Sequence, residues 1–239
     1  MDNMKFLSAI PSQLIYADMI YENMNFSWVE HYWHQLDKNG IFIVQTDYHT
    51  VAQMKLHLDT MVNATFVNWV IYKQEWGGVP RKGFPQKHDD ILIYCKGENF
   101  TWHGDRVQIP KVTAGTKLDK KGTGLKIPCS VFDDLGNFST MSKERIKNGN
   151  GKCIQWQKPI KLLQRLIAPF INAGDLVLDP FCGTATSGVV ALRNCCCYIG
   201  IENDNAVAKI AEERLLKEQK NMEGIYYDCL NMLDWRILP

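Results

Sequence analysis

An acid at the end of an apolar strand, then a Gly-containing turn, then a buried helix start: this order of residues can hold a nucleoside. The chain has it at Asp179-Pro180-Phe181-Cys182-Gly183-Thr184-Ala185-Thr186-Ser187. Asp175-Leu176-Val177-Leu178 before it reads as a short buried strand, and Gly188-Val189-Val190-Ala191-Leu192 after it as the first turns of a buried helix. Gly183 lets the backbone turn and lets a ligand approach closely, and the helix start offers free N–H groups. The next apolar stretch, Cys197-Tyr198-Ile199-Gly200-Ile201, ends at Glu202, 23 residues after Asp179. That is about where a βαβ unit sets a carboxylate on ribose hydroxyls. The turn has neither the G-x-G-x-x-G of a dinucleotide site nor the G-x-x-x-x-G-K of a P-loop, so neither a dinucleotide nor ATP is favoured.

A second constellation is Asp18-Met19-Ile20-Tyr21, an acid and an aromatic after the apolar run Leu14-Ile15-Tyr16-Ala17. In open α/β sheets, ligands collect beyond the carboxyl ends of the strands. Asp18, Asp179, Glu202 and Asp228 all end predicted strands. They are therefore expected to crowd one edge of a sheet.

Asp179-Pro180-Phe181-Cys182-Gly183-Thr184-Ala185-Thr186 resembles the Asp-Pro-Phe-x-Gly-Ser-Gly-Thr motif with which amino-methylating DNA methyltransferases bind S-adenosyl-L-methionine. Ala185 stands in place of the second Gly. As the smallest replacement it should be accommodated, provided the backbone there needs no positive φ. Asp18-Met19-Ile20-Tyr21 resembles the Asp-Pro-Pro-Tyr motif of the same family, with Met19-Ile20 in place of Pro-Pro. Trp156-Gln157-Lys158-Pro159 is similar to the Gln-Lys-Pro segment upstream of the cofactor motif, and Lys87-His88-Asp89 to the Lys-His-Glu that precedes an apolar strand. The order, with the catalytic tetrapeptide first, a recognition region next and the cofactor motif last, is that of the circularly permuted β-class.

The resemblance implies a methyl transfer from S-adenosyl-L-methionine to the exocyclic N6 amine of adenine in double-stranded DNA. Asp18 and the Met19 carbonyl would accept hydrogen bonds from that amine, and Tyr21 would stack on the flipped base. Acceptors on the N–H groups make a delocalised amine more nucleophilic, and the rest of the catalysis is positioning. Reaching the amine in a duplex requires taking the base out of the stack. The cofactor-binding candidates are Asp179, Phe181, Gly183, Thr184, Thr186, Glu202 and Lys158. Asp228 is the candidate near the adenine of the cofactor, with Asp2 as the other option. No covalent intermediate is needed, so Cys182 reads as a packing residue. Cytosine N4 is the alternative target, and a DNA-binding relative that keeps the cofactor pocket without catalysis is another.

The elements that must position these groups can be sketched along the chain. Strands are expected at residues 14–17, 41–46, 65–72, 90–94, 175–178, 197–201 and 224–227. Residues 26–36, 50–62 and 160–170 read as helices, as does a stretch ending near Lys220, and Asp37-Lys38-Asn39-Gly40 reads as a turn. Residues 65–72 and 90–94 could pair as an antiparallel hairpin. Strands alternating with helices argue for an α/β fold with a doubly wound, mostly parallel sheet, and the resemblance implies that it is of the Rossmann-like methyltransferase type. The expected division is a catalytic half at 1–99, a loop-rich recognition insertion at 100–155, and a cofactor-binding half at 156–239.

Charge supports a polyanion as partner. The net charge is +1, but residues 73–166 carry 18 Lys/Arg against 9 Asp/Glu, and the remainder 9 against 17. A basic middle between acidic ends suits DNA, while a homodimer is left open. No apolar run approaches a membrane span, and residues 1–5 do not read as a signal peptide. Eight Cys without C-x-x-C spacing are expected to stay reduced in a cytoplasmic setting. No metal site is expected.

Overall fold

The computed structural model describes residues 11–19, 25–74, 78–223 and 234–238. β1 (Ser12–Asp18) is followed by α1 (Ser27–Gln35), β2 (Leu36–Thr46), α2 (Val51–Asp59), β3 (Ala64–Lys73) and β4 (His88–Lys96). Three two-residue strands come next: β5 (Ile109–Pro110), β6 (Leu125–Lys126) and β7 (Val131–Phe132). The last part holds α3 (Ile160–Ile167), β8 (Leu176–Asp179), α4 (Thr186–Arg193), β9 (Cys197–Ile201), α5 (Asn205–Glu223) and β10 (Trp235–Leu238).

Eight strands form one sheet in the order β10-β9-β8-β1-β2-β4-β3-β7. From β10 through β2 neighbours run parallel, while β4 is antiparallel to both β2 and β3. Chain order reverses between β1 and β8, which makes this junction the switch point where open α/β sheets bind ligands. Because strand side chains alternate faces, each apolar strand feeds two cores. Leu14, Tyr16, Ile41 and Ile43 pack with Leu163, Leu166, Val190 and Leu215 on one side. Ile15, Phe42 and Val44 pack with Val29, Trp33, Met54 and Leu58 on the other. A sheet covered on both faces explains why its central strands read as continuous apolar runs.

Several local expectations shift. The turn expected at residues 37–40 is an irregularity inside β2: pairing to β1 jumps from Ser12↔Leu36 to Leu14↔Ile41, and Asn39 takes a φ of 64°. The helix expected at 50–62 ends at Asp59. The helix expected at 160–170 has Pro159 as its N-cap and stops at Ile167, and residues 168–170 tighten into a 3₁₀ turn around Pro169, which has no N–H to continue the ladder. β10 and β7 were not foreseen. The strand expected at 224–227 lies outside the described residues. β3 and β4 do pair as an antiparallel hairpin.

The irregular stretch at 100–155 is anchored rather than loose. β5 and β6 pair with each other, and β7 adds to the sheet edge on β3. Arg106 Nη1 donates to the carbonyls of Ala168 and Ile171, at 3.1 and 2.8 Å. Arg165 forms a bidentate pair with Asp134. Glu144 Oε1 accepts the Ile160 N–H at 2.6 Å and so caps α3 from the insertion. No helix among the described residues is long and apolar enough to cross a membrane.

Candidate active site

Parallel pairing of β1 with β8 (Leu14↔Val177, Ile15↔Leu178) brings Asp18 and Asp179 to the same sheet edge. β9 lies beside β8, with Asp179 opposite Gly200, so Glu202 joins them. Three predicted acids therefore end three adjacent strands. The fourth, Asp228, lies outside the described residues, as do Tyr21 and Asp2.

Asp179 is buried. Its Oδ1 accepts the Phe181 N–H at 3.0 Å, and its Oδ2 accepts a short bond from the Ser187 hydroxyl, whose oxygen lies 2.9 Å from the Tyr198 hydroxyl. Burial pushes the Asp179 carboxyl up to about 7. The two donors oppose that shift, while the charges of Asp18 and Glu202 add to it.

The turn after Asp179 is built by close contacts. The Cys182 N–H donates to the Ile201 carbonyl at 3.0 Å, which ties the turn to the end of β9, and the Ala185 N–H donates to the Cys182 carbonyl at 2.8 Å. Gly183 has a φ of +51°, and a Cβ there would meet nothing within 4 Å, so its outer side is open to a ligand. Ala185 also lies in the left-handed region, at φ 53° and ψ 45°. The condition under which Ala was expected to replace Gly is thus not met: reversing from β8 into α4 needs a second left-handed residue. Ala185 carries that cost, about 1–2 kcal/mol, with its methyl wholly inside the core.

Gly200 is required from the other side. A Cβ there would stand 2.8 Å from both Cys182 Sγ and the Tyr198 hydroxyl. Cys182 does pack in the turn, and burial raises its thiol well above the usual range. Gly200→Ala is expected to destabilise the fold by roughly 1–3 kcal/mol through overpacking. Urea melts check this, and unchanged stability would show that the turn has slack.

Thr184 and Thr186 are both buried, and α5 engages their hydroxyls. Arg214 Nη1 donates to the Thr184 carbonyl at 2.9 Å, to Thr184 Oγ1 at 3.2 Å and to Thr186 Oγ1 at 2.9 Å. The structure thus places these threonines as the inner lining of the turn. Arg214 escaped sequence reading, although it sits beside Leu215 on the inward side of an amphipathic helix. Phe181 is half-buried and meets Trp28 edge-on, with ring centroids 5.1 Å apart. Trp28 stacks in turn on Phe42 at 6.3 Å. Glu202 is half-buried, and its Oε1 accepts the Asp204 N–H at 2.8 Å.

On the far side of the switch point, Asp18 Oδ2 accepts a 2.6 Å bond from Lys158 Nζ, and both side chains are largely shielded from solvent. Lys158, expected at the cofactor corner, is bonded to Asp18. Its position is fixed by its neighbour: Gln157 Oε1 accepts the Ile146 N–H at 2.8 Å, and Gln157 Nε2 donates to the Glu144 carbonyl at 2.9 Å. Met19 is buried in the cluster that holds Val29, Tyr32 and Trp33 of α1.

Because β4 runs antiparallel, its start, not its end, reaches this edge and delivers Asp89. Gln45 Nε2 and Gln74 Nε2 donate to its two oxygens at 2.7 Å each, and Gln45 Oε1 accepts the Tyr16 hydroxyl at 2.7 Å. A cavity of about 320 Å³ opens here, lined by Tyr72, Gln74, Asp89, Phe138, Trp156 and Lys158 among others. Four carboxyl groups thus face the edge, with Lys158 as the cation bonded among them. Such an edge favours a cationic ligand. Among the described residues no group of three His, Cys, Asp or Glu is placed to hold a metal.

Comparison with known proteins bears on the family and the fold. The profile of the N6_N4_Mtase family, described as DNA methylase, matches residues 16–213. The type II methyltransferase M.HpaI of Haemophilus parainfluenzae is 26% identical over 213 residues, 85% of this chain and 65% of M.HpaI. The chain thus spans less than two thirds of the length of that relative. The DNA adenine methyltransferase YhdJ of Escherichia coli K12 is 26% identical over 240 residues, 90% of this chain and 80% of YhdJ. Among solved structures, the cytosine-N4-specific PvuII DNA methyltransferase superposes with a TM-score of 0.66 at 17% identity, covering 98% of this chain and 93% of that one. The complex of M1.HpyAVI with SAM gives 0.62 at 19% identity, covering 86% and 90%. These likenesses establish the Rossmann-like methyltransferase fold, and the profile match over most of the sequence establishes more: the chain belongs to the N6_N4_Mtase family of DNA methylases.

Proposed function

We propose that the protein transfers a methyl group from S-adenosyl-L-methionine to the N6 amine of an adenine flipped out of double-stranded DNA. The observation that carries this reading is the meeting, at one switch point, of the Asp179 corner and the lysine-bound carboxylate of Asp18.

The residues fit the cofactor. The open side of Gly183 admits a ligand to the backbone, Glu202 stands at the strand end suited to ribose hydroxyls, and the acidic edge suits a sulfonium. When bound, S-adenosyl-L-methionine supplies an electrophilic methyl group. Asp179 shapes the turn through the Phe181 N–H, and Phe181 offers an aromatic edge above Trp28.

On the acceptor side, Asp18 Oδ2 accepts from Lys158 Nζ, and the Asp18 carboxylate so oriented accepts an N–H of the target amine. The Met19 carbonyl accepts the second N–H, and Tyr21 stacks on the base. Asp18 then takes the proton that the methylated nitrogen sheds. With both acceptors fixed, the nitrogen lone pair turns towards the cofactor face, a gain from orientation alone.

The test is to incubate the protein with duplex DNA and methyl-labelled cofactor, then digest the DNA to nucleosides. Label in N6-methyldeoxyadenosine supports the reading. Label confined to N4-methyldeoxycytidine would keep the mechanism and change the base. Cofactor binding with no label in DNA would reduce the chain to a non-catalytic relative.

The β3–β4 connection bears on the DNA. It carries Arg81, Lys82 and Lys87, and it emerges at the same edge as Asp89. Reversing all three to Glu is expected to weaken DNA binding at least about tenfold at 0.1 M salt. It should also flatten the slope of log affinity against log salt by about 2–3, since each phosphate contact contributes about 0.9. Filter binding across a salt series measures both, and an unchanged slope would place the DNA surface elsewhere.

A further inference from the structure

We propose that Asp89 is a positioning residue for methyl transfer: it acts on Asp18 through Lys158, at the end of a buried polar chain from Tyr16 through Gln45. The inference rests on the reading of Asp18 as the acceptor of the target amine.

The geometry is directional. Tyr16 stands two residues before Asp18 on β1, on the same face of the strand. Its hydroxyl donates to Gln45 Oε1, which obliges the other end of that amide, Nε2, to face Asp89. Tyr16 and Gln45 are buried, so neither can trade its partner for bulk water, and Asp89 is buried where the chain reaches the cavity. Gln74 Nε2 holds the second oxygen of Asp89. The carboxylate is thereby locked from two sides, by side chains of β2 and of the residue that follows β3.

Asp89 and Lys158 line the same cavity, and the charge of Lys158 stabilises ionised Asp89 while that of Asp18 opposes it. Lys158 is therefore shared by two carboxylates, one bonded to it and one fixed across the cavity. A lysine facing a single carboxylate on a flexible stem has several ways to bond it. A second, immobile anion selects one direction for the ammonium group, and with it one orientation of the Asp18 carboxylate. Burial holds the Asp89 carboxyl above its usual range, and the charge of Lys158 works against that shift.

The test compares parental protein with Asp89→Asn, Asp89→Glu and Gln74→Ala in single-turnover methyl transfer, with cofactor affinity measured by calorimetry. Asp89→Asn keeps the shape and removes the charge; its amide nitrogen is accommodated on the Gln74 side, where the half-buried Gln74 amide can turn its oxygen to it. Its transfer rate is expected to fall about 10- to 100-fold, the scale of a misplaced reacting group, with cofactor affinity within about twofold of parental. Asp89→Glu should recover most of the rate because it restores the anion. Gln74→Ala removes one donor at a half-buried position, where the fold tolerates change, and should cost about three- to tenfold. A parental rate in Asp89→Asn would overturn the assignment. So would a parallel loss of rate and cofactor affinity, or an Asp89→Glu no faster than Asp89→Asn, since either would mark a merely structural residue. A parental protein that moves no methyl group would overturn the reading of Asp18, and the role of Asp89 with it. One that methylates as fast as its Asp89→Asn form would overturn the role of Asp89 alone.

Discussion

Asp18→Ala is expected to lower the rate of methyl transfer by about 10²–10⁴-fold, the range spanned by removal of a positioned proton acceptor, while cofactor affinity stays at the parental value. The separation follows from the sheet. Asp18 ends β1, and the described cofactor candidates other than Lys158 lie at the ends of β8 and β9 or in the turn that follows β8, so the two sets share an edge without sharing a strand. The same change strands Lys158, whose 2.6 Å partner is gone. Breaking a buried ion pair by removing one partner typically costs about 3–5 kcal/mol. The loss here should fall below that, because Asp89 still faces the lysine. Asp18→Asn should fall nearly as far in rate, since its amide can place a donor where the target amine also brings one. Methylation by either variant at the parental rate would remove the tetrapeptide from the mechanism.

Stability without cofactor should depend on pH through Asp179. Its carboxyl is pushed up to about 7 from the ordinary 3.8, so the folded chain holds this proton where the unfolded chain has released it. Stability from this group is therefore greatest at low pH and is lost as pH rises through about 7. Asp179→Asn mimics the neutral carboxyl and removes the titration. Relative to the parent, the variant should gain roughly 3 kcal/mol between pH 5 and pH 8, whatever its stability at pH 5. Urea melts of both proteins at the two pH values measure the difference. A gap that does not change with pH would show that Asp179 is already ionised in the fold. A cationic ligand beside it would relieve the same strain, so the acidic edge is at its least comfortable when nothing is bound.

The strand-end acids were legible because a polar residue closing an apolar run stands out, and because the parallel order puts such closures on one edge. Asp18, Asp179 and Glu202 were found that way. Asp89 was not read as part of the site: it opens its strand rather than closing it, and only the antiparallel run of β4 brings that opening to the edge. Gln45 hid for a different reason, as a polar residue inside a buried run whose two amide ends matter only once Tyr16 and Asp89 are in place. Residue type also concealed the backbone of Ala185. Nothing in the letter Ala signals a left-handed conformation, and only the sharpness of the turn into α4 demands it. β10 was missed because Trp235-Arg236-Ile237-Leu238 is short and carries a charge, and becomes a strand only by pairing with β9.

The junction between β1 and β8 also bears on how the protein is made. The Leu176 N–H donates to Gln13 Oε1 across a separation of 163 residues, and Lys158 reaches Asp18 across 140. Closing a loop of that length costs about 4–5 kcal/mol of chain entropy before any contact repays it, which places this pairing late in folding. Until residues 176–179 leave the ribosome, β1 can pair with β2 on one side while its other edge stays open. That edge belongs to Leu14-Ile15-Tyr16-Ala17, an apolar template of unpaired N–H and C=O groups. For most of its synthesis, the strand that ends in Asp18 exposes an edge prone to aggregation.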